Sequence, residues 1–223
     1  MTHGIYVTGT DTGIGKTHVA VELLRALEKQ GVRAVGMKPV ASGCIYTQSG
    51  WRNDDALALQ AKSADLPAYD LVNPFALPLA TAPEIAAAAG GIEVTLAPIL
   101  AAFQQLATRA DFVVVEGVGG WAAPLATTLD QSDLVRALAL PVVLVVGLRL
   151  GCINHARLTL AALRGAQIDV RGWIANAVDP TFEHRDATVA LLRARLACVP
   201  CLGILPHVSA CTDPPAIDLS LLT

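Results

Sequence analysis

A lysine followed by a threonine, Lys16 and Thr17, ends a glycine-rich stretch near the start of the chain, residues 9–17 with the sequence GTDTGIGKT. An apolar run rich in β-branched residues precedes the stretch and an amphipathic run follows it, which predicts a buried strand, a turn and a helix. In that context main-chain N–H groups and the helix N-terminus bind phosphate, the lysine adds positive charge, and the threonine hydroxyl is a ligand for magnesium. Five residues separate Gly9 from Gly15, one more than in the common form of the motif. The stretch indicates a nucleoside-triphosphate site.

The elements that must position this site alternate along the chain. Apolar runs predict strands at residues 4–8, 32–37, 111–117, 142–146, 172–176 and 201–206, and amphipathic runs predict helices at 19–27, 54–59, 83–89, 96–108, 133–138, 150–163 and 184–197. Residues 44–51 are predicted to form a polar loop and 66–83 to be irregular. Alternation of strands and helices predicts a parallel sheet with helices on both faces. Ligands of such sheets lie beyond the carboxyl ends of the strands, which here are residues 9–17, 38–42, 116–120, 147–154, Asn176 and Pro206.

Three acidic residues are candidate metal ligands. Glu116 ends a predicted buried strand at the ligand edge, where its carboxylate can hold magnesium opposite Thr17. Asp54 and Asp55 open a predicted helix, where the helix dipole favours acids whether or not they bind a metal. For these two residues metal binding and a simple helix start explain the pattern equally well.

Lys38 ends the second predicted strand, at the same edge. Its charge could stabilise a transferring phosphoryl group or an acceptor carboxylate, or its stem could simply lie along apolar surface with the ammonium in water. Ser42 is more typical of a turn than of a ligand contact, and Asn176 fits a turn or a base-recognising amide equally well.

The composition limits the classes of partner. The chain has 223 residues, a formal net charge of −3, 16% charged residues and no basic tract, which argues against nucleic acid as a partner. No apolar run is long enough to cross a membrane, and the N-terminus leads directly into the first strand, so no signal peptide is expected. Five cysteines at irregular spacing are typical of a reducing cytoplasm. The mean hydropathy of +0.51 is high, which predicts a subunit interface or an unusually large core.

Five segments in order carry a family resemblance. They are GTDTxxGKT (9–17), KPVASG (38–43), RNxDAL (52–57), VEGxGGW (115–121) and LGCINHA (150–156). Together they resemble the dethiobiotin synthetase family, and the resemblance covers most of the chain, including the five-residue gap in the phosphate loop. The chain departs from the family at position 13, which is Gly where members often have Glu.

The resemblance implies an ATP-dependent cyclo-ligase of biotin biosynthesis with a P-loop NTPase-type three-layer fold in a single domain, residues 1–223. In the implied reaction, 7,8-diaminononanoate and CO2 give a carbamate, ATP phosphorylates the carbamate, and the second amine displaces phosphate to form dethiobiotin. Mg²⁺ would be the metal, and the enzyme would be a cytoplasmic homodimer without a nucleic-acid or membrane partner.

The resemblance also implies roles for individual residues. Lys38 would be the catalytic lysine beside Lys16, and magnesium would be bound by Thr17, Glu116 and Asp55, which favours Asp55 over Asp54. Nucleotide contacts would come from Thr12, Gly13, Ile14, Gly15, Lys16, Thr17, His18, Asp55, Glu116, Gly117, Val118, Gly119, Asn176, Leu205, Pro206 and His207. Substrate contacts would come from Thr12, Lys38, Ser42 and Gly119, and, across a two-fold interface, from Leu150, Gly151 and Asn154.

Two other classes share the phosphate loop. Amidotransferring ligases of the cobyrinic acid synthase type carry a glutaminase domain, for which this chain is too short. Partitioning or division-site ATPases, which act as nucleotide switches, carry an extra lysine five positions before the loop lysine, where this chain has Asp11. They often end in a membrane-binding amphipathic helix, and residues 218–223 are too few for one.

Overall fold

The computed structural model describes residues 3–207 and 216–222. In these ranges the strands are β1 (His3–Gly9), β2 (Ala34–Met37), β3 (Val40–Ser42), β4 (Ile45–Thr47), β5 (Gly50–Arg52), β6 (Phe75–Leu77), β7 (Phe112–Glu116), β8 (Pro124–Ala126), β9 (Leu129–Asp130), β10 (Val142–Gly147), β11 (Val170–Asn176) and β12 (Cys201–Leu205). The helices are α1 (Lys16–Lys29), α2 (Asp54–Lys62), α3 (Tyr69–Val72), α4 (Pro83–Ala89), α5 (Leu96–Ala107), α6 (Gln131–Leu138), α7 (Cys152–Gly165) and α8 (Arg185–Arg195).

The main sheet has six parallel strands in the order β12-β11-β10-β1-β7-β2. Its register places the predicted ligand-edge residues side by side. Val7 of β1 pairs with Glu116 of β7, and Val115 pairs with Met37 of β2. The phosphate loop, Glu116 and Lys38 therefore leave three neighbouring strands at one edge of the sheet.

Helices cover both faces of the sheet, as the alternation of elements predicts. On β1, Ile5 and Val7 belong to one apolar cluster and Tyr6 to the other, because successive side chains of a strand point to opposite faces. Helix α1 packs Val19, Leu23 and Leu27 against the Ile5 face with the spacing of a single helical stripe. The phosphate loop is thus held between a buried strand and a buried helix.

Two segments differ from the sequence-based expectation, and the antiparallel β8–β9 pair was not predicted at all. Residues 44–51 were expected to be a loop, but β4 and β5 form an antiparallel hairpin in which the Tyr46 and Trp51 rings meet edge-on at 5.1 Å. Residues 66–83, expected to be irregular, contain α3 and β6, and β6 pairs with β3. Elements of three or four residues are too short to show a period, and tertiary contacts stabilise them: the Asn73 side chain donates to the Lys38 carbonyl at 2.7 Å.

Most other element boundaries agree with prediction to within a few residues. The described part of the C-terminal segment packs on the main domain, where Ile217 bridges to Gly203 and Leu219 and Leu222 join the core. The proline-rich stretch at 208–215 lies outside the described residues. Within the described ranges, none of the helices combines the length and the apolar character that crossing a membrane requires.

Candidate active site

The phosphate loop is fixed to the core by one apolar side chain. Ile14 is 1% exposed, and its Cδ1 atom lies 2.4 Å from where a Cβ on Gly9 would stand. Thr12 and Gly13 remain exposed on the other side of the loop. The loop therefore turns its main chain outward at the N-terminus of α1, as phosphate binding requires.

Asn176, at the end of β11, supports the loop from the flank. Its Nδ2 atom donates to the Ile14 carbonyl at 2.9 Å, and a Cβ on Gly15 would lie 2.1 Å from the same nitrogen. Gly15 also has φ +78°, a conformation that favours glycine. Both the conformation and the close approach of Asn176 explain glycine at this position.

A matched pair of substitutions separates the effect of the positive φ angle from the effect of the Asn176 contact. Gly13 has φ +70° but open space around its Cβ position, whereas Gly15 has both the positive φ and the contact with Asn176. We expect Gly13→Ala to lower the free energy of unfolding by about 1 kcal/mol through strain alone. Gly15→Ala should lower it by about 1–2 kcal/mol more, because Asn176 must move and its bond to Ile14 is lost. Urea unfolding of the two variants without nucleotide measures the difference, and equal losses would contradict a structural role for the Asn176 contact.

Lys16 is buried at the centre of the loop, with Nζ 2.9 Å from the Asp11 carbonyl. Burial lowers the pKa of Lys16 to about 8, and the nearby charge of Lys38 acts in the same direction. Asp11 accepts the Thr12 N–H at 2.7 Å and forms an ion pair with Arg149. An anion that reaches Lys16 stabilises its charged form, so this buried lysine suits a phosphate ligand.

Lys38 lies between two carboxylates. Its Nζ is 2.5 Å from Glu116 Oε1 and 2.9 Å from Asp55 Oδ2. The Lys38 and Glu116 side chains are almost fully buried, whereas Asp55 reaches solvent. Asn53 caps α2 by accepting the Ala56 N–H at 3.2 Å, which fixes the first turn that carries Asp55. Asp54, the alternative left open by the sequence, is exposed.

The charges of this cluster follow from burial and pairing. Burial alone would lower the pKa of Lys38, but Glu116 and Asp55 outweigh burial and raise it. Burial works against the Asp55 carboxylate, yet the Lys38 charge and hydrogen bond hold its pKa below the ordinary value. Burial raises the pKa of Glu116 despite Lys38. Lys38 is thus an ammonium donor at neutral pH and not a base.

Thr17, Asp55 and Glu116 offer a donor set of oxygens alone. The Thr17 hydroxyl donates to Glu116 Oε1 at 2.9 Å, and Glu116 Oε2 is buried without a hydrogen-bond partner. Within residues 3–207 and 216–222 no group of three or more His, Cys, Asp or Glu forms a metal-binding cluster. Two carboxylates and a hydroxyl fit a hard cation that keeps several waters, which is how magnesium binds.

These groups open into one cleft of about 800 Å³. Of the residues singled out from the sequence, the cleft contains Thr12, Gly13, Gly15, Lys16, Thr17, Lys38, Ser42, Asp55, Glu116, Val118 and Gly119. The Ser42 hydroxyl is buried without a hydrogen-bond partner. Ala41 and Gly120, which belong to the predicted ligand-edge segments 38–42 and 116–120, also line the cleft. Sequence reasoning missed Asn53, Ala123 and residues 80–83 of the lining. Pro83 at the first turn of α4 was the available signal for the last of these, since it marks a helix start.

The other singled-out residues lie outside the cleft lining. Ile14 is in the core, and Gly117 lies behind Lys38, with its carbonyl 3.4 Å from Nζ. Asn176 on β11 pairs with Leu205 on the neighbouring strand β12. Together with His18, Pro206 and His207, it lies on the flank of the phosphate loop. Leu150 and Gly151 precede α7, and Asn154 lies in its first turn. All three residues are exposed, Leu150 at 92%. In the single chain these last three residues are not brought into the cleft.

Comparison with known proteins identifies the family. A family model described as "AAA domain" matches residues 3–215. The chain is 60% identical over 217 residues to the ATP-dependent dethiobiotin synthetase BioD of Xylella fastidiosa (strain 9a5c), covering 97% of this chain and 93% of the relative. It is 63% identical over 201 residues to the protein of the same name from Xanthomonas euvesicatoria pv. vesicatoria, covering 90% and 89%. The chain belongs to the dethiobiotin synthetase family.

Solved structures of more distant proteins share the fold of this dethiobiotin synthetase family member. A ParA family ATPase from Chlorobium tepidum has a TM-score of 0.56 at 12% identity, covering 93% of this chain and 85% of that one. The septum site-determining protein MinD of Pyrococcus horikoshii has a TM-score of 0.54 at 15% identity, covering 94% and 83%. The likeness confirms the predicted P-loop NTPase-type fold.

Proposed function

We propose that this chain is an ATP-dependent cyclo-ligase that converts 7,8-diaminononanoate and CO2 into dethiobiotin, with ADP and phosphate as the other products. The observation that carries the proposal is the 60% identity to an ATP-dependent dethiobiotin synthetase over 97% of the chain. The cleft supports it, because it combines a phosphate loop with a buried lysine at the place where a second anion would meet ATP. Residues 1–223 would act as a single P-loop domain.

The proposed chemistry has two bond exchanges. A carbamate oxygen attacks the γ-phosphorus of ATP, and the bond from that phosphorus to the bridging oxygen of ADP breaks. The second amine then attacks the carbamate carbon, and the bond to the phosphate oxygen breaks as the amine loses a proton. The carbamate and ATP are both anionic, so Lys16 and Lys38 stabilise their approach and hold the reacting oxygens in line. The raised pKa of Lys38 keeps its charge for this role.

Thr17, Asp55 and Glu116 would hold Mg²⁺ in the working enzyme. Two observations support this assignment. The Thr17 hydroxyl contacts Glu116, which meets Asp55 at Lys38, and Glu116 Oε2 has no hydrogen-bond partner. When bound, the ion would neutralise phosphate charge during transfer. The Lys38 ammonium, which bridges both carboxylates in the structure, would then turn toward the carbamate.

Substrate recognition would need a second copy of the chain. The diamine carries a carboxylate several carbons from its amines, so it extends beyond the phosphate loop. The start of α7 has no side-chain cap and exposes Leu150, Gly151 and Asn154, which fits carboxylate binding at a two-fold interface. Ser42, Thr12 and Gly119 would contact the amine end in the cleft. The high mean hydropathy is consistent with a homodimer.

The nucleotide would lie along the phosphate loop with its base toward the Asn176 flank. Residues 13–17 and His18 would contact the phosphates and ribose, while Asn176 and residues 205–207 would contact the adenine. The hydrogen bond from Asn176 to the phosphate loop supports this orientation, because it places the amide within reach of a ligand that occupies the loop.

Phosphate release from ATP tests the proposed function. We expect release to require both 7,8-diaminononanoate and bicarbonate, since the acceptor is a carbamate that neither compound supplies alone. Omitting each in turn, and replacing the diamine with a monoamine of equal length, provide the controls. Equal release of phosphate without the diamine would contradict the ligase and favour a nucleotide switch.

A further inference from the structure

A buried polar pair connects the centre of the sheet with the loop that follows Glu116. Tyr6 of β1 is 1% exposed and Gln131, the first residue of α6, is 0% exposed. The Tyr6 hydroxyl donates to Gln131 Oε1 at 2.8 Å, across 125 positions of sequence. A buried polar pair is stable only when every donor and acceptor of both side chains has a hydrogen-bond partner. The other hydrogen bonds of the pair therefore identify the segment that it fixes in place.

The remaining hydrogen bonds of Gln131 go to the glycine-rich loop. Its Nε2 donates to the Gly120 carbonyl at 2.5 Å and lies 3.3 Å from the Trp121 carbonyl. The Trp121 N–H in turn donates to the carbonyl of Gly9, where the phosphate loop begins, at 3.1 Å. The loop is thus attached to α6 on one side and to β1 on the other.

The amide of Gln131 has one stable orientation. Main-chain carbonyls only accept hydrogen bonds, so Nε2 must face Gly120 and Trp121, and Oε1 must face Tyr6. Burial raises the pKa of Tyr6 above its ordinary value, and Glu116 adds to the effect, so the phenol keeps its proton and donates. The capping box between Asp130 and Asp133 fixes the start of α6, from which Gln131 projects.

The loop held in this way forms one wall of the cleft. Gly119 and Gly120 line it, and a Cβ on Gly119 would lie 3.8 Å from the Thr12 hydroxyl of the phosphate loop. The pair also leaves no room for a side chain at Gly117, where a Cβ would lie 2.5 Å from Gln131 Oε1 and 2.7 Å from the Tyr6 hydroxyl. A shift of the Gln131 amide is therefore transmitted to the wall that faces the phosphate loop.

We propose that Gln131 is a positioning residue that holds residues 118–120 against the phosphate loop, with Tyr6 orienting its amide. The kinetic consequence rests on the function proposed above. The loop contacts the acceptor diamine at Gly119, whereas the nucleotide is held mainly by Lys16 and the main chain of residues 13–17, so losing the Gln131 donor weakens diamine binding more than nucleotide binding. Tyr6 contributes indirectly, by keeping the amide in its orientation.

Three variants separate positioning from simple stability. Gln131→Met keeps the volume and removes the donor to Gly120, but leaves the Tyr6 hydroxyl without its acceptor. Tyr6→Phe removes the phenol and keeps the Gly120 hydrogen bond. The double variant carries both changes, so no phenol is left unpaired while the loop carbonyls still lack their donor. Gln104→Met on the exposed face of α5 is the matched control for the glutamine change.

Two measurements are made on the full-length protein. Hydrogen exchange of the Trp121 amide in the ligand-free protein reports loop attachment without any assumption about the reaction. We expect at least about a tenfold faster exchange in Gln131→Met and in the double variant, and little change in Gln104→Met. Steady-state kinetics should show the KM for the diamine rising by about tenfold in the same two variants, with a smaller change in the KM for ATP.

The double variant gives the deciding result. Recovery of its melting temperature toward wild type with the diamine KM still raised supports positioning, because stability and binding then respond separately. Recovery of both, or unchanged Trp121 exchange in Gln131→Met, would overturn the proposal. If the double variant does not fold, the exchange result for Gln131→Met decides alone. Absence of diamine-dependent turnover in the wild type would refute the proposed function and leave the exchange result for the loop intact.

Discussion

Lys38→Met should lower turnover at saturating ATP, diamine and bicarbonate by about a hundredfold or more. Lys38 is a buried ammonium at 2.5 Å from Glu116 and 2.9 Å from Asp55, beside the phosphate loop. Losing one well-placed charge at a developing anion costs about 3 kcal/mol in the transition state, which corresponds to about two orders of magnitude in rate. Nucleotide binding should be largely retained, because Lys16 and the loop main chain contact the phosphates.

The same substitution also removes the cation that forms an ion pair with the buried Glu116 carboxylate. Breaking a buried ion pair costs about 3 kcal/mol or more of stability in other proteins, so turnover should be measured well below the melting temperature, with ADP binding as the check on folding. Lys62→Met, at an exposed lysine at the end of α2, is the matched control and should retain activity. A Lys38→Met enzyme with near-normal turnover would mean that Lys38 is only a strand-end lysine.

The phosphate loop was predictable from sequence because its chemistry is local. One short segment, residues 9–17, contains Gly9, Gly15, Lys16 and Thr17, so their spacing alone specifies how they meet. For Glu116 and Lys38 the sequence predicted a position at the ligand edge of the sheet, but it did not predict that the two side chains touch. Their contact depends on the register of β1, β7 and β2, which joins residues 78 positions apart.

Helix phase explains why the sequence left Asp54 and Asp55 equivalent. Both lie in the first turn of α2, where the dipole favours either acid, and only packing against β2 determines which one faces Lys38. The Tyr6–Gln131 hydrogen bond is even less predictable from local sequence. A tyrosine in a buried strand and a glutamine at a helix start have no common pattern, and their hydrogen bond exists only because β1 and α6 meet in the folded chain.

Asn154→Glu should inactivate the proposed homodimer at substrate concentrations that saturate the wild type, and should be complemented by Lys38→Met in mixed dimers. Asn154 is exposed in the first turn of α7, where we propose that each chain contacts the carboxylate of a substrate bound mainly by its partner. A glutamate there repels that carboxylate. Gly151 is a poorer site for such a lesion, because its φ of +90° makes any side chain strained and confuses binding with folding.

In a mixed dimer of the two variants, one site carries both lesions and the other carries neither. Random exchange of equal amounts makes half of the dimers mixed, so activity should return to about a quarter of the wild-type value. Asn154→Gln, which keeps an uncharged amide, is the control and should retain most activity. Sedimentation must show a dimer, and a tagged subunit must show that exchange occurs. A monomer in solution, or subunit exchange without recovered activity, would contradict a site shared between subunits. Recovered activity would show that Asn154 of one chain and Lys38 of the other belong to the same active site.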